Sequence, residues 1–241
     1  MLVDSGGFAS LFKNARLVSS GKLGAIEIYT DDGVELVHPR DVLDHQERVG
    51  DVAFTLDFPV PPGMEGPEAR HRKNLTIANA HWALANRRRR NLPLYAVVQG
   101  WDAESSRTCA LTYRNAGFDG IAIGGLVPRA RDIDTILTVV RAVRDTLPDV
   151  PLHVLGLGKP QIVETLYRAG VDSVDSSSYV KLAADGRLWS TPDMQLKDAS
   201  TTDRLHMSLC NLAIAAGQAL PLSASGLAFL TLSLRTQLHA A

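Results

Sequence analysis

The chain has 241 residues, 45% of them hydrophobic and 21% charged, with a formal net charge of -1. That length can bury one sizeable core, and the near-neutral balance excludes a global positive field drawing in nucleic acid, so any such contact must come from a local patch. Two distant cysteines, Cys109 and Cys210, exclude a disulfide framework and fit a reducing, cytoplasmic setting.

The amino terminus, Met1-Leu-Val-Asp-Ser-Gly-Gly7, has no basic and apolar run of the secretory kind. Leu2-Val3 reads as a strand that runs into a glycine turn at Gly6-Gly7. Ala25–Tyr29 and Val34–Val37 alternate in polarity around Asp31-Asp32-Gly33, which predicts a surface hairpin. Pro39 opens a helix over 41–49, and Gly50 ends it before a strand, Val52 to Asp57. A rigid loop follows through Pro59, Pro61, Pro62 and Gly63. Helical spacing then runs from Glu68 to Arg90.

Leu94–Val98 reads as a buried strand ending in Gln99-Gly100, and a helix over 103–116 leads to the strand Gly120–Gly125. A helix over 133–147 precedes the strand Leu152–Gly158. A helix over 160–169 precedes the last strand, which delivers Asp175. Strands separated by helices imply βαβ units and a parallel sheet. Six strands, ending at Asp4, Asp57, Gln99, Gly125, Gly158 and Asp175, fall short of the eight of a closed (β/α)8 barrel. Residues 203–218 read as an amphipathic helix. Pro221, Ser223, Ser225 and Gly226 interrupt the apolar tract after it, so no membrane span is expected.

Asp4, Asp57 and Asp175 occupy equivalent strand ends, which a barrel brings to one mouth. One carboxylate attacking a glycosidic carbon, another handling the proton, and a third accepting from the N–H groups of a base would make a retaining exchange site. A helix cap or turn is the alternative for each. Gly6-Gly7, Gly124-Gly125 and Gly156-x-Gly158 would let backbone amides approach a flat ligand whose edge Gln99 reads, or would simply serve as βα turns. Arg87, Arg88, Arg89 and Arg90 end the predicted helix, either as a solvated face complementing its dipole or as a phosphate-binding patch. His206 and Cys210 stand one helical turn apart, but no other ligand clusters with them, so no metal site is assigned.

Taken together, Asp4-Ser-Gly-Gly-Phe8, Leu56-Asp57 with its proline loop, Val98-Gln-Gly100, Ala122-Ile-Gly-Gly-Leu126, Gly156-Leu-Gly-Lys-Pro160 and Gly170-Val-Asp-Ser-Val-Asp175 form an ordered series. It resembles the motif series of the tRNA-guanine transglycosylase superfamily over residues 2 to 180. The resemblance implies a (β/α)8 TIM barrel over 1–200, apparently lacking its N-terminal strands, followed by a helical extension over 201–241. It further implies exchange of guanine in a nucleic acid for a 7-deazaguanine, with Asp175 as nucleophile and Asp4 as general acid and base. Asp57, Gln99, Gly125 and the Leu126 backbone match the base-recognition set, with Ser5 beside them and Gly124 and Gly156 in the flanking turns. No redox or nucleotide cofactor is implied.

The resemblance has two departures. The superfamily's tRNA enzymes carry a C-x-C-x-x-C…H zinc site after the barrel, whereas this chain has no such cluster and reads Cys210-Asn-Leu212 where His-Asn-Leu is expected. They also have sequence before the first aspartate motif that would build the opening of the barrel, and its absence here suggests a shortened gene model, a truncated chain or completion by a homodimer or partner subunit. Both departures favour the branch that inserts 7-deazaguanines into DNA. The tRNA enzyme is the alternative, and an inactive partner subunit with a degenerate barrel comes third, disfavoured because all three aspartates are present.

Overall fold

The computed structural model describes residues 1–215. The chain divides into two compact units, residues 1–157 with 164–174, and residues 158–163 with 175 onward. In the first, β1 (Leu2–Val3) and a 3-10 turn (Gly7–Leu11) lead into β2 (Ala15–Ser20), β3 (Leu23–Thr30) and β4 (Gly33–Val37). The remainder alternates: α1 (Pro39–Val49), β5 (Val52–Phe54), α2 (Gly66–Asn86), β6 (Leu94–Val98), α3 (Ala103–Leu111), β7 (Gly120–Ile123), α4 (Ile133–Thr146), β8 (Leu152–Val154), α5 (Pro160–Arg168) and β9 (Ser173–Val174). The second unit contains α6 (Ser178–Ala184) and α7 (Thr201–Ala215).

Six strands form one parallel sheet in the order β1-β5-β6-β7-β8-β9. Within this sheet each strand pairs with the one that follows it in chain order, β2 to β4 forming a separate sheet, and this is the winding of a barrel; a doubly wound sheet would reverse its order partway. The described residues thus form a partial, TIM-like β/α barrel of six strands. The strands are short continuous apolar runs because both faces are covered: every residue of β7 and β8 is buried, and Leu94, Ala96, Val97 and Val98 of β6 are fully inaccessible. On one side Leu94 and Ala53 pack with Leu43 of α1 and Ala83 of α2. On the other, Phe54, Val97 and Ala122 pack together, with the His153 ring 5.1 Å from that of Phe54.

The predicted hairpin is part of a three-stranded antiparallel sheet, β2-β3-β4. Strand β2 escaped the sequence reading because Arg16, Ser19 and Ser20 make it polar. Nor is the sheet merely superficial: Ile26 packs with Leu56, Phe58 and Leu75. The buried Asn79 carboxamide accepts from the Gly24 amide at 3.0 Å and donates to the carbonyls of Gly24 and Leu56, both at 3.1 Å, tying β3 to α2 and to the exit of β5.

Other boundaries shift for local reasons. The second helix ends at Asn86 with Arg87 as its C-cap residue, so the arginine run lies past the last helical turn and not within it. The third stops at Leu111, and turns carry the chain through Asn115, which adopts a left-handed φ of 59°. The last predicted helix is seen from Thr201 to Ala215, and the end of its predicted span lies outside the described residues. Among the described residues no helix is long and apolar enough to cross a membrane.

Candidate active site

The strand ends carry the polar residues that the sequence singled out. Asp4 follows β1, Gln99 follows β6 and Gly124 follows β7, while Asp57 lies three residues past β5 and Gly156 two past β8. These belong to the first unit. Asp175, the residue after β9, is exposed and belongs to the second.

Asp57 is the centre of the first-unit cluster. Its side chain is 4% exposed, Ser5 Oγ donates to Oδ1 at 2.9 Å, and Gln99 Nε2 donates to Oδ2 at 2.6 Å. Burial pushes the Asp57 carboxyl up to about 6, the Asp4 carboxylate adds to the rise, and the hydrogen bonds from Gln99 and Ser5 oppose it. Asp57 is therefore a mostly ionised, desolvated acceptor at neutral pH, close to its own titration range.

The glycines make room for this arrangement. A Cβ on Gly7 would stand 2.0 Å from the Asp57 carbonyl oxygen. One on Gly124 would meet Gln99 Nε2 at 2.2 Å, and one on Gly125, which holds φ at 71°, would meet Gln99 Oε1 at 2.7 Å. A side chain at Gly124 or Gly125 would thus displace the Gln99 carboxamide, and the positive φ of Gly125 favours glycine independently. Leu126 is buried at the start of the 3-10 turn Val127–Arg129, and Gly156, with φ 76°, abuts Val127.

Asp4 is exposed, and its Oδ1 accepts from the Ser5 amide at 2.7 Å. Its backbone is held by a residue the sequence reading missed. Gln46 of α1, 1% exposed, donates through Nε2 to the carbonyls of Val3 at 3.0 Å, Asp4 at 3.4 Å and Phe54 at 2.8 Å. A glutamine one turn after Leu43 on the apolar face was the available signal. Arg72 was missed as well: its Nη1 reaches Ser10 Oγ at 3.1 Å and the Pro59 carbonyl at 3.4 Å, and its Nε pairs with Glu68 at 2.9 Å.

The arginine run is largely occupied by the protein itself. Arg87, 8% exposed, donates to the Leu92 carbonyl at 2.8 Å and to Asp119 at 2.5 Å. Arg88 pairs with Asp44 and Glu47, and Arg89 donates to the carbonyls of Glu47 and Gly50. Arg90 is exposed. Arg87→Met should cost about 2 kcal/mol, because it strands a partly desolvated carboxylate and a carbonyl. The midpoint of urea unfolding reads this directly, and an unchanged midpoint would contradict it.

The described residues offer zinc no fitting ligand set. Among the described residues no three His, Cys, Asp or Glu side chains stand together, and Cys210 packs against the apolar cluster of Ala183, Leu196, Ala199 and Met207. In the second unit the fully buried Asn211 secures α7, accepting from the Trp189 amide at 2.7 Å and donating to the carbonyls of Tyr179 at 3.1 Å and Arg187 at 3.2 Å.

Parallel strands wound in sequence order, with carboxylates, a carboxamide and glycines at their carboxyl ends, define a β/α-barrel-type protein with a polar site at that edge. The family described as Queuine tRNA-ribosyltransferase matches residues 1–212. The chain is 30% identical over 199 residues to a queuine tRNA-ribosyltransferase of Helicobacter pylori strain P12, covering 78% of this chain and 52% of the relative. It is 31% identical over 203 residues to that of Desulfosudis oleivorans, covering 79% and 51%. It is also 29% identical over 175 residues to a tRNA-guanine(15) transglycosylase of Methanothermobacter thermautotrophicus, covering 70% and 26%. This chain belongs to the queuine tRNA-ribosyltransferase family, and it spans about half the length of the bacterial relatives and about a quarter of the archaeal one.

Proposed function

We propose that the protein is a base-exchange transglycosylase that replaces guanine in a nucleic acid with a 7-deazaguanine. The observation that carries this reading is the buried Asp57 carboxylate, gripped by Ser5 and Gln99 against Gly124-Gly125, in a chain of this family. An ionised carboxylate accepts from paired N–H donors, and a guanine edge offers N1–H beside its 2-amino group. Asp175 attacks C1′ and the C1′–N9 bond breaks, its electron pair passing to the base, which Asp4 protonates. The resulting Asp175 ester is resolved when the incoming base, having given its N9 proton to Asp4, attacks C1′ and releases the carboxylate. The target nucleoside leaves its stack to reach these groups. The exposed Arg90 is the member of the arginine run best placed for a phosphate contact.

DNA is the substrate we favour. Support comes from position 210, where a cysteine packed against an apolar cluster stands in place of the histidine of the metal site expected of the tRNA enzymes. The names of the relatives support tRNA as the second reading. Incubation with labelled guanine and either duplex DNA or tRNA distinguishes them. Label in DNA is the expected result, label in tRNA alone replaces the substrate, and label in neither overturns base exchange in favour of an inactive partner subunit.

A further inference from the structure

Strand β1 stands first in the order of the parallel sheet, and among the described residues its partner is β5. Their ladder has two rungs, Leu2 with Val52 and Val3 with Ala53, and the next in register would join Asp4 to Phe54. Gln46 stands at that rung. Its Nε2 donates to the carbonyls of Phe54 at 2.8 Å, Val3 at 3.0 Å and, more weakly, Asp4 at 3.4 Å, so a carboxamide sent in from α1 replaces the hydrogen bonds that the ladder lacks there.

Both segments joined here run on to the site. Asp4 leads into the turn at Gly6, whose φ is 75°, and the neighbouring Ser5 Oγ donates to Asp57 Oδ1 at 2.9 Å and accepts from the Gly7 amide at 3.2 Å. Phe54 leads directly through Thr55 and Leu56 to Asp57. Asp4 and Asp57 are thus carried by two segments that Gln46 ties at the root and Ser5 ties at the tip, close enough for the Asp4 charge to act on Asp57. Gln46 is 1% exposed and shares the buried face of α1 with Leu43, where burial alone would select an apolar residue. Three converging carbonyl oxygens repel one another, and a donor between them is what keeps the two segments together.

We infer that Gln46 is a positioning residue for the acid/base step: by holding the Asp4 and Phe54 carbonyls together it fixes the Asp4 carboxylate relative to the base gripped by Asp57. This rests on the base-exchange reading above. The Asp4 side chain is exposed and its Oδ1 accepts from the adjacent Ser5 amide, so its place is set by the backbone that carries it. A displacement of about 1 Å is enough to slow a reaction roughly a hundredfold.

A double-substitution cycle in the full chain tests it, with exchange of labelled guanine as the rate and direct binding of free guanine as a second readout. Gln46→Met, which keeps the length of the side chain and removes its donors, should lower kcat about a hundredfold and leave KM and guanine binding within about twofold. Asp4→Asn should lower exchange by roughly a thousandfold. Adding Gln46→Met to Asp4→Asn should then cost less than about threefold more, because the group that Gln46 positions is already gone. A merely structural role would lower the rate by the same factor in both backgrounds, and that result overturns the inference, as does an undiminished kcat in Gln46→Met. Gln46→Asn, which keeps a carboxamide but withdraws it by one methylene, should show the same non-additivity and decides the matter if the methionine variant fails to fold. A native protein that exchanges no guanine sinks the base-exchange reading and this role with it, whereas equal losses in an exchanging protein sink the role alone.

Discussion

Asp175→Ala should lower base exchange by roughly four orders of magnitude or more, the scale seen when a covalent nucleophile is removed. The fold should survive. Asp175 is exposed, and removing an exposed side chain with its contacts just past a two-residue strand costs about 1 kcal/mol. The melting temperature should therefore stay within a few degrees while activity disappears. Loss of activity accompanied by unfolding would assign Asp175 a structural role, and retained exchange would remove it from the chemistry.

Asp57→Asn has the second largest expected effect, and it separates activity from stability. The native carboxyl titrates at about 6 instead of 3.8, so the fold favours its protonated form. The stability due to this preference is fully present below 3.8 and is lost as pH rises through about 6. At neutral pH the ionised group therefore costs about 3 kcal/mol. Asparagine carries no charge, so the variant should be as stable as the native protein or more so at neutral pH, and the native decline in stability between 3.8 and about 6 should flatten. Exchange should fall about a thousandfold, because an amide donor then opposes a base donor. In the native protein kcat/KM for the base should rise with pH through about 6, and that limb should vanish in the variant. A native profile flat across that range would contradict the role of ionised Asp57.

Much of the architecture was legible because parallel strands advertise themselves. Leu94–Val98 and Gly120–Ile123 are uninterrupted apolar runs punctuated by glycine or a polar residue, and all six strands were found, although those predicted to end at Asp57, Gly125 and Gly158 stop earlier, at Phe54, Ile123 and Val154. Elements with a wet face were harder to see. In β2 Arg16, Ser19 and Ser20 face solvent, and α6 begins within a run of serines, which favour turns over helix interiors.

The candidate site was legible as a set of positions and illegible as a set of contacts. Strand-end logic brought Asp57 and Gln99 forward, the family resemblance added Ser5, and the structure joins those three by hydrogen bonds. It could not reveal that Gln99 fills the space above Gly124-Gly125, since a doubled glycine announces crowding without naming what crowds it. Arg87 and Asp119, or Gln46 and Phe54, meet only through the fold. For the same reason, a row of four arginines looks like a patch until its partners on α1 and at Asp119 are known.

The most direct test is to trap the protein with its nucleic acid in the absence of incoming base, denature it, digest both components and locate the adduct by mass spectrometry. A single ester on the peptide containing Asp175, absent from Asp175→Ala, is the predicted result. An adduct on Asp4 or Asp57, or none under conditions where labelled guanine exchanges, would contradict it.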